Sequence, residues 1–201
     1  MKKISIFGAT GKTGVCALES AINKGYKVKA LVRSLDRVPD ELKSKADYVV
    51  GDVLSPSDVS QTIEGTEAVC VVLGTRDDLK PTTMLSEGLK NIINAMKEHK
   101  VTKVSVCLSA FLFYEVDKVP KMFVDLNADH QRMLDTLKSS DLQYIAVLPP
   151  HIADEPRAPY KVEYNKSPGR SISKYDLADF LLDSLYQEEH YNKICGLATI
   201  K

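Results

Sequence analysis

The stretch "ISIFGATGKTGV", residues 4–15, passes from a β-like apolar lead into glycines at 8, 11 and 14. Val15, Leu18 and Ile22 then follow at the spacing of a buried helix stripe. A strand that turns into a helix through Gly-x-x-Gly-x-x-Gly presents backbone N–H groups and the positive end of the helix dipole to an anion, typically a pyrophosphate. Three glycines alone are a weak signal. Here the strand before, the helix after and a second apolar run at 27–32 supply the context of a dinucleotide-binding unit, against the rival reading of a purely structural turn. Thr10 and Thr13 add hydroxyl donors suited to phosphate oxygens. The Gly-Lys-Thr at 11–13 also invites a P-loop reading. That motif needs Gly-x-x-x-x-Gly-Lys-Thr, and only Ala9 and Thr10 separate Gly8 from Gly11. Lys12 is therefore read as an electrostatic neighbour of the pyrophosphate, not as a nucleotide-hydrolysis lysine.

Short apolar runs rich in β-branched residues recur at 4–7, 27–32, 48–50, 68–73, 103–108 and 144–148, separated by longer stretches of helical period. This is the rhythm of repeated βαβ units, and continuous runs such as "AVCVVL" suit parallel strands covered on both faces. The fold class is α/β: a single Rossmann-type, doubly wound, open parallel sheet with helices on both faces and right-handed crossovers. Ser55 and Pro56 mark the N-cap and first residue of a short helix. Leu85, Leu89, Ile92, Ile93 and Met96 make one face of a helix over 80–98. Ser173 caps a closing helix, with Asp176 at its third position and Leu177, Phe180, Leu181 and Leu185 as its stripe. From 149 to 170 the chain is rich in proline and charge and reads as an irregular loop of the kind that carries function. The 201 residues suit one domain over 1–201, with about 149–201 as a small C-terminal segment on the substrate side.

The 27 basic and 27 acidic residues cancel, so nothing in the overall charge favours a polyanion and nucleic acid is excluded as a partner. The chain runs from Met1 through two lysines straight into a strand, without a signal-peptide apolar stretch, and no apolar run is long enough to span a bilayer. These features predict a cytoplasmic protein without membrane contact. Cys16, Cys70, Cys107 and Cys195 show no metal-ligand or redox spacing and read as reduced core thiols, so no metal is expected.

Which dinucleotide binds is decided at the end of the second strand, where an acid would hold the ribose 2′-hydroxyl of NAD. Arg33 stands there instead, and Arg37 follows one helical turn later, so a 2′-phosphate would meet two guanidinium groups and NADP is favoured. The rival reading is a solvated basic pair neutralised by Asp36. Asp52, after the third strand, is either an adenine contact or a turn residue.

At the reacting end the signals are sparser. Dehydrogenases of this fold commonly protonate an alkoxide through a tyrosine activated by a lysine one turn away. Tyr114 and Lys118 have that spacing, but Pro120 argues against a helix there and favours a loop. Without a built-in acid, hydride acceptors whose adduct is a delocalised anion are favoured, since water can protonate them. Ser109, just past the fifth strand, either orients nicotinamide or substrate or caps the strand end. His151, after the sixth strand and two prolines, either contacts substrate and relays a proton or is simply solvated. Phe111, Phe113 and Tyr114 form an apolar substrate wall or pack the core. Cys107 is a further catalytic candidate if its thiol is exposed and ionised.

Beyond these readings, "IFGATGKTG", "LVRS", "VVGDVL", "LGTRDDLKPTT", "NIINAMK", "SAFL", "PPHI" and "ISKYDL" occur in order over nearly the whole chain, and the sequence resembles the atypical short-chain dehydrogenases of the NAD(P)-binding Rossmann group. Within that group the likeness is to the branch that reduces flavins and biliverdin-IXβ; it is weakest after Gln187. The resemblance implies an NADPH-dependent reductase, acting as a monomer on small molecules, with FMN, FAD or riboflavin as substrate and not as prosthetic group. It implies that Gly8, Thr10, Gly11, Lys12 and Thr13 hold the pyrophosphate, Arg33 and Arg37 the 2′-phosphate, Asp52 and Val53 the adenine, and Leu73, Gly74 and Thr75 the ribose and linker. It further implies that Ser109, His130 and His151 lie near nicotinamide and substrate. The competing expectation is a non-catalytic NADP(H)-sensing protein of the same fold.

Overall fold

Strand β1 (Lys3–Phe7) lies between β2 (Lys27–Val32) and β4 (Ala68–Val71), parallel to both. Outside β2 comes β3 (Asp47–Val50), and outside β4 come β5 (Lys103–Cys107) and β6 (Gln143–Leu148), again all parallel. The winding direction therefore reverses between β1 and β4, and the crevice at the carboxyl ends of those strands is where an open α/β sheet takes its ligand. The computed structural model describes residues 1–200.

The sheet extends further than the sequence reading placed it. A seventh parallel strand, β10 (Lys193–Thr199), pairs with β6, and β8 (Tyr160–Tyr164) adds to β10 as an antiparallel edge, so the sheet is mostly and not wholly parallel. The stretch 149–170, expected to be irregular, instead contains β8 and one strand of a small parallel ladder, β7 (His151–Ala153), whose partner β9 (Ser171–Ser173) follows directly. Prolines 149, 150, 156 and 159 fall between these strands, where the missing N–H breaks no ladder bond.

Helices α1 (Lys12–Asn23) and α5 (Lys174–Asp183) cover one face, packing Leu18, Ala21, Leu177 and Leu181 on Ile4, Ile6 and Cys70. Helices α2 (Pro56–Ile63), α3 (Met84–Glu98) and α4 (Val124–Lys138) cover the other, where Ile63, Leu89 and Met133 share a core with Phe7, Val69 and Val71. The alternation of β1 and β4 between two apolar cores is why their sequences read as continuous apolar runs. Ser55 accepts from the Asp58 amide at 3.4 Å as the N-cap of α2, with Pro56 in its first turn. α3 starts at Met84 and not at 80, because Pro81 keeps Lys80 out of helical geometry and Thr82 Oγ1 accepts from the Met84 amide at 3.1 Å. Ser173 caps α5 through the Tyr175 amide, but Asp176 does not reach back to it; its carboxylate accepts from the Ala158 amide at 3.0 Å. Leu185 lies past the end of α5 and is nonetheless fully buried.

Candidate functional site

The turn from β1 into α1 is shaped by two close approaches. Gly8 has φ +87°, and a Cβ there would overlap the Val72 carbonyl; a Cβ on Gly14 would overlap the carbonyl of Gly8. Gly11 differs. It is the N-cap of α1 at an ordinary φ of −78°, its amide donates to Gly8 O at 3.1 Å, and a Cβ would stand 3.5 Å from that oxygen, in normal contact. The protein's own packing does not require glycine at 11. What a side chain would obstruct is the open side, where the first-turn N–H groups of α1 lack intrahelical partners and face the crevice.

That crevice is a cavity of about 580 Å³. At one end it is lined by Leu31, Val32 and Arg33 from β2 and by Asp52, Val53 and Leu54 after β3; across the middle by Gly8, the turn from Thr10 to Gly14, and Val72 to Asp77. At the far end stand Met84 of α3, Cys107 at the end of β5 and Leu108 after it, Leu126 and His130 of α4, and Ile152 of β7. Arg33 is exposed, and among the described residues neither Arg33 nor Arg37 has a carboxylate within ion-pair distance. Asp36, the expected neutralising partner, is turned to Ser34, whose hydroxyl lies 3.2 Å from its carboxylate. Arg37 is exposed and does not line the cavity. Asp52 fills both of its readings: its carboxylate accepts from the Leu54 amide at 2.8 Å as a turn, and the residue lines the cavity.

The donor set fits a phosphorylated dinucleotide. A free guanidinium stands at the β2 end and a glycine turn opens onto a helix N-terminus. At Thr75 a hydroxyl is buried with no hydrogen-bond partner, and unmade bonds of that kind are costly in a folded chain. Leu73, Gly74 and Thr75 continue the same wall after β4.

The far end is apolar. His130 is half-buried there, and loss of water pushes its imidazole down to about 4, the nearby Asp129 opposing only in part. It is neutral at pH 7. Burial pushes the Cys107 thiol up to about 12, so it stands in the cavity wall as a protonated, non-nucleophilic group. Cys70 and Cys195 are raised alike, and all four cysteines are free and buried.

Several predicted residues lie elsewhere. Ser109 does not line the cavity: its hydroxyl accepts from the Phe111 amide at 3.2 Å, capping the short 3-10 turn that follows β5. Phe111 stacks on Phe123 at 5.3 Å, Phe113 packs into the α3–α4 core, and Tyr114 is exposed outside the cavity. Tyr114 is the extended residue after one 3-10 turn and Lys118 ends the next, so they lack the shared helical face a catalytic pair needs. His151 is exposed and bonds through its backbone amide to Arg170 O at 3.2 Å, leaving its neighbour Ile152 to line the cavity. Met84, Leu126, Leu108, Ile152 and Arg76 were not anticipated. Leu126 and His130 are four apart, so a helical reading of 124–138 would have put both on one face.

A Rossmann sheet whose crevice presents a glycine turn and a free arginine at the second strand defines a dinucleotide-binding protein. Residues 8–188 match the NAD(P)H-binding family, and the chain belongs to it. An uncharacterized chloroplastic protein of Arabidopsis thaliana is 23% identical over 96% of this chain and 75% of its own length. The photosystem II assembly factor Ycf39 of Synechocystis is 30% identical over 60% of this chain, which spans only 37% of that longer protein. A candidate NADH-flavin reductase from Streptococcus pneumoniae superposes with a TM-score of 0.85, at 20% identity and full coverage of both chains. A short-chain dehydrogenase/reductase of Veillonella parvula in complex with NADP superposes at 0.78, with 17% identity over 98% of this chain and 94% of that one. The chain is thus an NAD(P)H-binding protein. Among the described residues no group of three His, Cys, Asp or Glu side chains could hold a metal, and no helix is long and apolar enough to cross a membrane.

Proposed function

We propose that the protein is an NADPH-dependent reductase that delivers hydride to planar conjugated acceptors, flavins such as FMN and open-chain tetrapyrroles such as biliverdin-IXβ. The observation that carries this reading is the polarity of the cavity: a free Arg33 at one end, and at the other a wall of Met84, Leu108, Leu126 and Ile152 around a neutral His130. Arg33 would hold the 2′-phosphate, the turn from Gly8 to Thr13 the pyrophosphate, and Thr75 a ribose or linker oxygen. When bound, the cofactor supplies a hydride. The apolar wall keeps water from the reacting face and offers a flat acceptor a low-dielectric seat. His130, uncharged, can donate or accept one hydrogen bond there, but at about 4 it is a poor proton source at neutral pH. Cys107 is held as a thiol, and no tyrosine, serine or lysine lines that end. The one proton that completes the reduction after hydride transfer therefore comes from solvent, which selects acceptors whose hydride adduct is a stable delocalised anion. In this reading the acceptor contacts fall to the apolar wall and His130, in place of Ser109, His151 and the aromatics at 111–114. As part of the same proposal the protein acts as a cytoplasmic monomer on small molecules, with no nucleic-acid or membrane partner.

The test is absorbance at the NADPH band with FMN, and separately with β-isomer biliverdin, as acceptor. Turnover of at least one is expected. NADPH that binds and is not consumed with either acceptor removes the reductase reading. That result would favour the second one, a non-catalytic NADP(H)-sensing role, which the likeness to an assembly factor and the lack of an internal acid both support.

A further inference from the structure

Helix α3 has only a partial cap of its own, the Thr82 hydroxyl on the Met84 amide, which leaves the next amides unmet. Thr83 precedes it with no side-chain bond to the first turn. The rest of the cap comes from another helix: Asp129 of α4, wholly inaccessible, accepts from the Leu85 amide at 3.0 Å, the Ser86 amide at 3.3 Å and the Ser86 hydroxyl at 2.5 Å. Arg132, one turn further along α4, closes the arrangement. Its guanidinium donates to the same carboxylate at 3.1 and 3.0 Å and to the Thr82 carbonyl at 2.7 Å.

A threonine hydroxyl at position 83 would cap a helix at far lower cost than a buried carboxylate, whose desolvation must be offset by several well-made bonds. What the carboxylate adds is a connection between elements. The groups it joins stand directly behind the reacting end of the cavity: Met84 is the first residue of α3, His130 is the next residue after Asp129, and Leu126 lies one turn before His130. Thr82 ends the segment that carries Thr75, Arg76 and Asp77 along the cavity's middle.

We propose that Asp129 and Arg132 are positioning residues for hydride transfer, locking Met84, Leu126 and His130 into the wall that sets where the acceptor lies. Neither touches the acceptor. The kinetic part of this inference rests on the reductase reading. Misplacing a reacting partner by about 1 Å costs on the order of a hundredfold in rate, so a lock on three wall residues is a kinetic device and not only a stabilising one.

The tests are Arg132→Met and Arg132→Lys, since the Arg132 side chain is 45% exposed and its loss leaves Asp129 its three α3 donors. Asp129→Asn is the more disruptive companion. For Arg132→Met the expected result is an unchanged fold by circular dichroism and an NADPH dissociation constant within about twofold of the parent. The kcat with saturating FMN should fall by at least about tenfold, with Arg132→Lys in between. The His130 imidazole resonances should shift in both the Met and Asn variants. Unchanged kcat, a loss matched by an equal loss of NADPH affinity, or a lysine variant no better than methionine would each overturn the assignment. If the parent itself does not reduce FMN or biliverdin, the reductase reading falls separately. The His130 resonances then decide the lock: shifted in Arg132→Met they support it, unmoved they sink it.

Discussion

In the proposed function Arg33 carries the choice between the two nicotinamide cofactors. It directly follows β2, where an acid would select NAD, and no carboxylate among the described residues neutralises it. A hydrogen bond to a charged group is worth about 1.5–3 kcal/mol, so Arg33→Ala should weaken NADPH roughly ten- to a hundredfold while leaving NADH nearly unchanged. Titration by cofactor fluorescence checks this, and equal losses for the two cofactors would remove the 2′-phosphate role. Because Arg33 is exposed, the NADPH preference should also shrink as salt rises. His130 makes a different prediction. Its folded pKa of about 4 lies below the ordinary histidine value, so between about pH 6.5 and 4 the unfolded chain binds a proton that the folded chain does not. Its contribution is therefore complete above pH 6.5 and is lost as pH falls toward 4, by an amount on the order of 2 kcal/mol, since the ring retains some water contact. Urea unfolding at pH 7 and pH 5 should show a smaller difference for His130→Gln than for the parent. Half-buried His190, whose imidazole loss of water also pushes down, acts in the same direction, which is why the comparison must be made between variants and not on the parent alone. At this scale much of the cavity lining was legible. Gly8 and Gly14 are constrained by backbone geometry and Gly11 by its opening onto the crevice, and constraints of that kind leave a fixed spacing in sequence. Ser109 and His151 were not placed correctly, because a residue just past a strand end can point either into the crevice or back to its own turn, and spacing does not distinguish the two.

The elements that could be read were those with one dominant signal. Ser55-Pro56 opens α2, and the stripe from Leu85 to Met96 marks α3. The elements that could not were those whose signals conflict. β10 carries Gly196 in its interior, which weakens a strand reading; the structure needs glycine there because a Cβ would overlap the Lys166 carbonyl. β8 alternates Tyr160, Val162 and Tyr164 with Lys161 and Glu163, a half-buried pattern obscured by the prolines around it. These strands are not ornament. Leu197 of β10 is wholly buried in the core under α5, beside Leu181 and Phe180. Leu197→Ala should therefore cost about 2–5 kcal/mol, read as a lower urea midpoint at an unchanged denaturant slope. A cost well under 1 kcal/mol would mean that β10 frays in solution and that the C-terminal part of the sheet is marginal.

The whole molecule joins two cavity ends of opposite character on one rigid sheet, and its response to cofactor tests that arrangement without assuming any chemistry. A ligand that binds only the folded chain stabilises it by about 2.7 kcal/mol at a hundred times its dissociation constant, and for a domain near this size each kcal/mol moves the midpoint by about 2–4 °C. NADPH should thus raise the thermal midpoint by roughly 5–10 °C at that saturation, and NADH at the same concentration by clearly less, because in the proposed function only NADPH engages Arg33. Equal shifts would leave the polarity of the cavity without a cofactor reading. The same scan run across protein concentrations addresses assembly. The exposed edge strand β8 carries Lys161 and Glu163, with Lys166 paired to Glu163, and charges on an edge oppose strand-to-strand pairing between copies. A monomer's midpoint does not depend on concentration, whereas that of an obligate dimer rises with it. A concentration-independent midpoint, with and without NADPH, is the expected outcome. A rise with concentration that appears only when NADPH is bound would contradict the monomeric reductase and point to the sensing role, since cofactor would then be changing which surface the protein presents.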